Sequence, residues 1–140
     1  FGSLALLCLV LFSCGTQQQQ PVTENDGSIH SIWAGNFDSN YHSDGIITSW
    51  VLYNNGTMTG KWKTQNDSSV IDVNGTYSIK GNQVMFQAAG TILIRSQIES
   101  KIKISGTGKI TEMHANGIFK IEIEHPRFPD DTGTWRIDQI

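Results

Sequence analysis

The stretch VIDVNGTYSIKG, residues 70–81, alternates with period two: Ile71, Val73, Tyr77 and Ile79 fall on one side of an extended chain, and Asp72, Asn74, Thr76, Ser78 and Lys80 on the other. Successive side chains of a strand point to opposite faces, so this pattern makes a strand with one dry and one wet face; a helical stripe would return every three or four residues instead. The pattern recurs. QIESKIKIS sets Ile98, Ile102 and Ile104 against Glu99, Lys101 and Lys103, and GIFKIEIEH sets Phe119, Ile121 and Ile123 against Lys120, Glu122 and Glu124. No segment after the first 27 residues carries helical periodicity, so the chain is expected to be all-β.

Turn signals divide this region into about eight runs, near Trp33, Trp50, Trp62, Val73, Phe86, Ile102, Ile121 and Trp135. Asn54-Asn55-Gly56, Lys80-Gly81-Asn82 and Asn116-Gly117 supply residues that tolerate the positive φ of tight hairpins, so neighbouring strands are expected to run antiparallel. An antiparallel up-and-down meander of about eight strands loses its exposed edges by closing into a small barrel, whose interior is just filled by side chains or holds one small ligand. The dipeptide Gly-Thr, at Gly56, Gly75, Gly90, Gly106 and Gly133, fits such curling, because Gly within a strand permits a sharp bend or a close neighbour.

The beginning of the chain is of a different kind. Leu4 to Phe12 is almost purely apolar but spans roughly nine residues, against the about twenty that a membrane-crossing helix requires. That length suits the apolar region of a secretory signal. Leu11-Phe12-Ser13-Cys14 resembles the lipobox of bacterial lipoproteins, and the resemblance implies cleavage before Cys14, fatty acyl chains on that residue, and anchoring in a membrane of the bacterial cell envelope. A plain secretory signal with incidental cysteines is the other reading. Residues 1–13 are thus assigned to a signal peptide, 14–27, including Gln17 to Gln20 and Pro21, to the lipidated cysteine and a solvated tether, and 28–140 to a single domain of ordinary size. The two cysteines, Cys8 and Cys14, both precede the domain, which therefore has neither disulfide nor thiol chemistry.

Trp33-Ala34-Gly35-Asn36-Phe37 opens the domain and Gly133-Thr134-Trp135-Arg136 closes it. These elements resemble those of the calycin-type barrels, lipocalin-like and avidin-like proteins, in which a Trp and a Gly of a terminal strand help plug one end. The resemblance implies a small closed barrel and, with Arg136 in the last strand, a basic side chain lying over the Trp.

Several chemistries are disfavoured. A net charge of -3 with interspersed signs offers nucleic acid no basic field. No G-x-S-x-G elbow occurs, and His30, His42, His114 and His125 lack ligand spacing, so neither a serine hydrolase nor a zinc site is expected. Asp38 to Gly45 has the oxygen-rich look of a calcium loop but lacks the later acidic ligand, and reads as a long first hairpin loop. Glu122 and Glu124 share the wet face of their strand. Asp130 and Asp131, in HPRFPDDTG, read as part of an exposed contact loop before the last strand. Asn55, Asn66 and Asn74 begin N-glycosylation acceptors, which are surface glycan sites in a eukaryotic chain and merely turns in a bacterial one.

The expectation is a non-enzymatic, cofactor-free, envelope-anchored protein. Its barrel mouth binds a small apolar or amphipathic ligand, with Trp33, Trp50, Trp62, Tyr77 and Phe119 as the lining residues. Two interiors are compatible with the same alternation, one filled with rings and one hollow. The filled one suits a second function: inhibition of an exported hydrolase, a protease or lysozyme, through the loops Tyr41 to Gly45 and Pro126 to Asp131.

Overall fold

A computed structural model describes residues 27–66 and 68–140. Eight strands follow one another: β1 (Ile29–Ser39), β2 (Gly45–Tyr53), β3 (Thr57–Thr64), β4 (Val70–Lys80), β5 (Gln83–Ile94), β6 (Ile98–Thr111), β7 (His114–Ile123) and β8 (Asp131–Gln139). Each pairs antiparallel with its successor, and β8 returns to pair with β1, closing an up-and-down barrel. The closing ladder runs from Trp33 opposite Gln139 to Ser39 opposite Gly133, so no edge is left between first and last strand.

The alternation of the sequence is the alternation of burial. Ile71 and Val73 in β4, Ile102 and Ile104 in β6, and Phe119, Ile121 and Ile123 in β7 are buried, while their charged neighbours are exposed. Gly56 and Gly81 take φ of 87° and 63° in the turns expected of them. Asn116-Gly117 is not a turn. It lies inside β7, and the β6–β7 turn is made four residues earlier by Glu112 and Met113, with Glu112 at φ 52°. Gly117 serves a different need there: its missing side chain lets β6 approach, and any Cβ would run into the carbonyl of Thr107.

Four of the five Gly-Thr glycines, at positions 75, 90, 106 and 133, sit in strands, and Gly56 is a turn residue. Among the strand glycines, Gly106 and Gly133 stand opposite Phe86 and Phe119 on neighbouring strands, and Gly45 likewise stands opposite Phe37. Each ring lies over its glycine so closely that an added Cβ would sit 2.5–2.7 Å from ring carbons. Rings and glycines thereby interdigitate across the barrel wall. The rings also meet one another along the interior. Phe86 and Trp135 pack on Trp50 at centroid distances of 4.6 and 5.2 Å, Trp50 lies 6.2 Å from Trp62, and Trp62 touches Phe37 and Phe119 at 5.0 and 5.6 Å. Tilted and edge-to-face contacts of this kind contribute about 0.5–1.5 kcal/mol each beyond burial.

The two ends of the barrel differ. Short turns after β2, β4 and β6 close one end, where Trp33 Nε1 donates to Ser31 Oγ at 2.8 Å and Tyr77 Oη to the carbonyl of Tyr53 at 2.7 Å. Longer connections after β1, β3 and β7, with the tight β5–β6 turn, form the opposite, loop end. Arg136 does not cover the interior tryptophans: it follows inward-facing Trp135 in the alternation of β8 and is exposed on the outer surface.

Candidate functional site

Asp131 organises the loop end. It starts β8 on the same parity as Gly133, Trp135 and Ile137, so its carboxylate turns inward, and the residue is only 2% exposed. This corrects its expected place in an exposed loop; Asp130 alone stays in water. The Asp131 carboxylate accepts four hydrogen bonds, from the amides of Tyr41 (3.1 Å), His42 (3.1 Å) and Thr132 (2.7 Å) and from the hydroxyl of Ser39. Ser39 Oγ in turn accepts from the His42 amide at 2.9 Å, and Asp44 Oδ1 from the Ser39 amide at 2.8 Å. The β1–β2 connection is therefore a hairpin loop braced by carboxylates. Among the described residues no group of three or more His, Cys, Asp or Glu is placed to hold a metal ion.

Over this end the β1–β2 and β7–β8 loops meet. The His42 ring lies 6.3 Å from that of Phe128, which packs edge-on to His125 at 5.0 Å, and His42 Nε2 is 3.3 Å from the carbonyl oxygen of Pro129. Beneath them is a cavity of about 60 Å³. Its floor is the ring group Phe37, Trp62 and Phe119, its walls are isoleucines of β4, β5 and β7, and its polar lining is Ser39, His42, Ser43 and Asp131 together with Thr64 and Ser69, which bond to each other and to the Arg95 amide. The volume is far below the 300–1,000 Å³ of pockets that swallow a drug-sized ligand. A larger hollow, of about 850 Å³, lies on the outer surface across β4 to β8 among Met85, Gln87, Thr107 and Ile118; those side chains are exposed, so the trough holds nothing away from water.

Of the residues expected to line the mouth, Trp62 and Phe119 do so. Trp50 is buried mid-barrel between Phe86 and Trp62, Trp33 packs toward the turn end, and Tyr77 is half-buried there; none of these three borders the cavity. Cys14 and the proposed signal and tether up to residue 26 lie outside the described residues. Phe37, His42, Ser43, Phe128 and Asp131 were not among the expected lining residues. The parity of β1 and β8 carries a signal for Phe37 and Asp131, since each lies an even number of positions from an inward Trp; the loop residues have no such signal. Desolvation by burial raises the Tyr77 hydroxyl above the usual tyrosine pKa.

Comparison with protein families, with curated proteins and with solved structures finds no match to the chain.

Proposed function

We propose that the protein is a non-enzymatic binding protein of the bacterial cell envelope, which takes a small apolar or amphipathic group into the loop end of its barrel against Phe37, Trp62 and Phe119. The observation that carries this reading is the cavity itself, apolar on floor and walls, with Ser39, His42, Ser43, Thr64, Ser69 and Asp131 as its polar lining. Its one carboxylate, Asp131, supports binding over catalysis, because all four donors it accepts are its own protein's and it is engaged as a brace rather than poised to move a proton. The calycin-like architecture, an eight-stranded closed barrel, accords with the same reading. Native mass spectrometry of protein purified from its own envelope tests it: the expected result is a low-mass adduct that is diminished in Phe119→Leu, and uniformly empty protein would overturn it. Anchoring through Cys14 rests on the lipobox-like Leu11 to Cys14, and Cys14→Ala is expected to release the protein from membranes.

A second reading, inhibition of an exported hydrolase, has two observations in its favour, the first being an interior filled by packed rings that leave only about 60 Å³. The second is Tyr41, 75% exposed at the tip of a loop whose backbone Asp131 holds fixed, the arrangement of a preorganised aromatic anchor. If this is the function, the purified protein inhibits an exported protease or lysozyme and Tyr41→Ala does not.

A further inference from the structure

The loop-end cavity restricts its occupant by size and by head group. About 60 Å³ is well under the roughly 150 Å³ that admits a benzene ring. Its walls, Ile71, Ile92, Ile94, Ile121 and Ile123, are β-branched and stiff about χ1. A narrow aliphatic chain fits this space and a ring does not.

The polar lining is equally selective. Ser43 Oγ is buried and has no hydrogen-bond partner. A buried hydroxyl left so costs about 1–3 kcal/mol, which a single donor or acceptor on an incoming molecule would recover. No lysine or arginine lines the cavity, and the His42 imidazole is already turned to the Pro129 carbonyl at 3.3 Å and to Asp131 at 4.0 Å, so an ionised carboxylate entering it would be buried beside the Asp131 carboxylate without a cation of its own. An ammonium fares little better, since a carboxylate has about four lone-pair sites and those of Asp131 already serve four donors. The Trp62 indole nitrogen, also without an acceptor, lies toward Gly60 and the barrel centre, away from Ser43.

Resting on the binding function proposed above, we infer that the mouth selects a short unbranched aliphatic chain ending in an uncharged hydrogen-bonding group, such as a primary alcohol, bonded to Ser43 Oγ, and discriminates against the carboxylate of equal length.

The test titrates 1-butanol, butanoate and butylamine into the folded protein while methyl resonances of Ile71, Ile92 and Ile121 are followed by NMR, with xenon as a head-group-free reference. The expected result is saturable shifts with 1-butanol, binding at least tenfold weaker for butanoate and for butylamine, and a three- to tenfold loss for 1-butanol in Ser43→Ala with xenon binding unchanged. If xenon and 1-butanol bind but butanoate binds as well, or Ser43→Ala changes nothing, the head-group inference is overturned and the cavity stands as an apolar site. A carboxylate preference that vanishes in Arg95→Gln, at the neighbouring β5–β6 turn, overturns it likewise. If neither xenon nor 1-butanol moves the isoleucine methyls, the binding function proposed for the mouth fails with it.

Discussion

Adding one methyl group at Gly106 tests the interlock of glycines and rings. The φ of Gly106 is not in the left-handed region, so alanine meets no conformational penalty there and any cost is steric. The new Cβ would lie 2.5 and 2.6 Å from Phe86 Cε1 and Cζ and 2.6 Å from the carbonyl oxygen of Ile118, where carbon contacts normally settle at about 3.5–4.0 Å. Relieving the clash means moving the Phe86 ring by about 1 Å. That motion is opposed by Trp50, at a centroid distance of 4.6 Å, and by Trp135, at 6.1 Å, and the Ile118 carbonyl moves only with the β6–β7 ladder. Overpacking costs about 1–3 kcal/mol, and loosening one edge-to-face contact about 0.5–1.5 more, so Gly106→Ala is expected to destabilise by about 2–4 kcal/mol. With urea m-values of about 1–3 kcal/mol/M, the unfolding midpoint falls by roughly 1–2 M with m unchanged. Gly60→Ala is the control: its Cβ would meet only side chains, at 3.3 Å or more, and its cost is expected to stay below about 1 kcal/mol. In a Gly106→Ala background, Phe86→Leu should cost at least about 1 kcal/mol less than in the native protein, because it removes the atoms in conflict. A change under 0.5 kcal/mol for Gly106→Ala, or strict additivity with Phe86→Leu, refutes the reasoning; ~0.5 kcal/mol is also the scatter of uncoupled pairs.

Other perturbations read other parts of the molecule. Asp131→Ala leaves the amides of Tyr41, His42 and Thr132 and the Ser39 hydroxyl without their acceptor, and is expected to cost about 2–4 kcal/mol and to speed hydrogen exchange at Tyr41 and His42 selectively; unchanged exchange there would remove its role as a brace. Because burial raises the Tyr77 pKa in the folded state, the unfolded chain loses that proton first as pH rises; the neutral phenol's contribution is complete below the unfolded value of about 10 and is lost as pH climbs through the folded one. Urea midpoints at pH 9 and 11 should therefore differ less in Tyr77→Phe than in the native protein, and an equal difference in both would contradict this. Surface pairs behave otherwise: Lys61→Ala, which removes the 3.1 Å contact with half-exposed Asp72, should shift stability by no more than about 1 kcal/mol in a denaturant titration.

Period-two patterning was enough to read the strands and the inward face of each, because a strand residue has only two directions to point. Depth along the barrel axis is another matter. Trp33, Trp50, Trp62 and Phe119 all share the inward face, and only the pairing registers, such as Trp33 opposite Trp50 and Trp62 opposite Ile71, send the last two to the mouth and keep the others below it. Asp131 was misplaced because its neighbours Pro129 and Asp130 have loop composition, whereas its parity with Trp135 pointed inward. Asn116-Gly117 looked like a turn since Gly has two uses, positive φ and close approach, and composition does not tell them apart. A fuller signal was present in Gly35/Phe37, Gly60/Trp62, Gly75/Tyr77, Gly117/Phe119 and Gly133/Trp135, a glycine two residues before an inward ring in five of the eight strands. Ser43 and His42 had no counterpart signal, as loop side chains are placed by partners distant in sequence.

The closing β1–β8 seam fixes how the molecule presents itself. Asn54 bonds to the carbonyl of Ser28, Gln139 to that of Met113 and Ile140 to that of Ile32, so the strand that begins the barrel and the strand that ends it share one pole, and the cavity occupies the other. Whatever is joined ahead of residue 27, whether a fusion partner, a chip surface or a bilayer, therefore holds the protein from behind. The cavity, under the β1–β2 and β7–β8 loops, lies on the side away from that attachment.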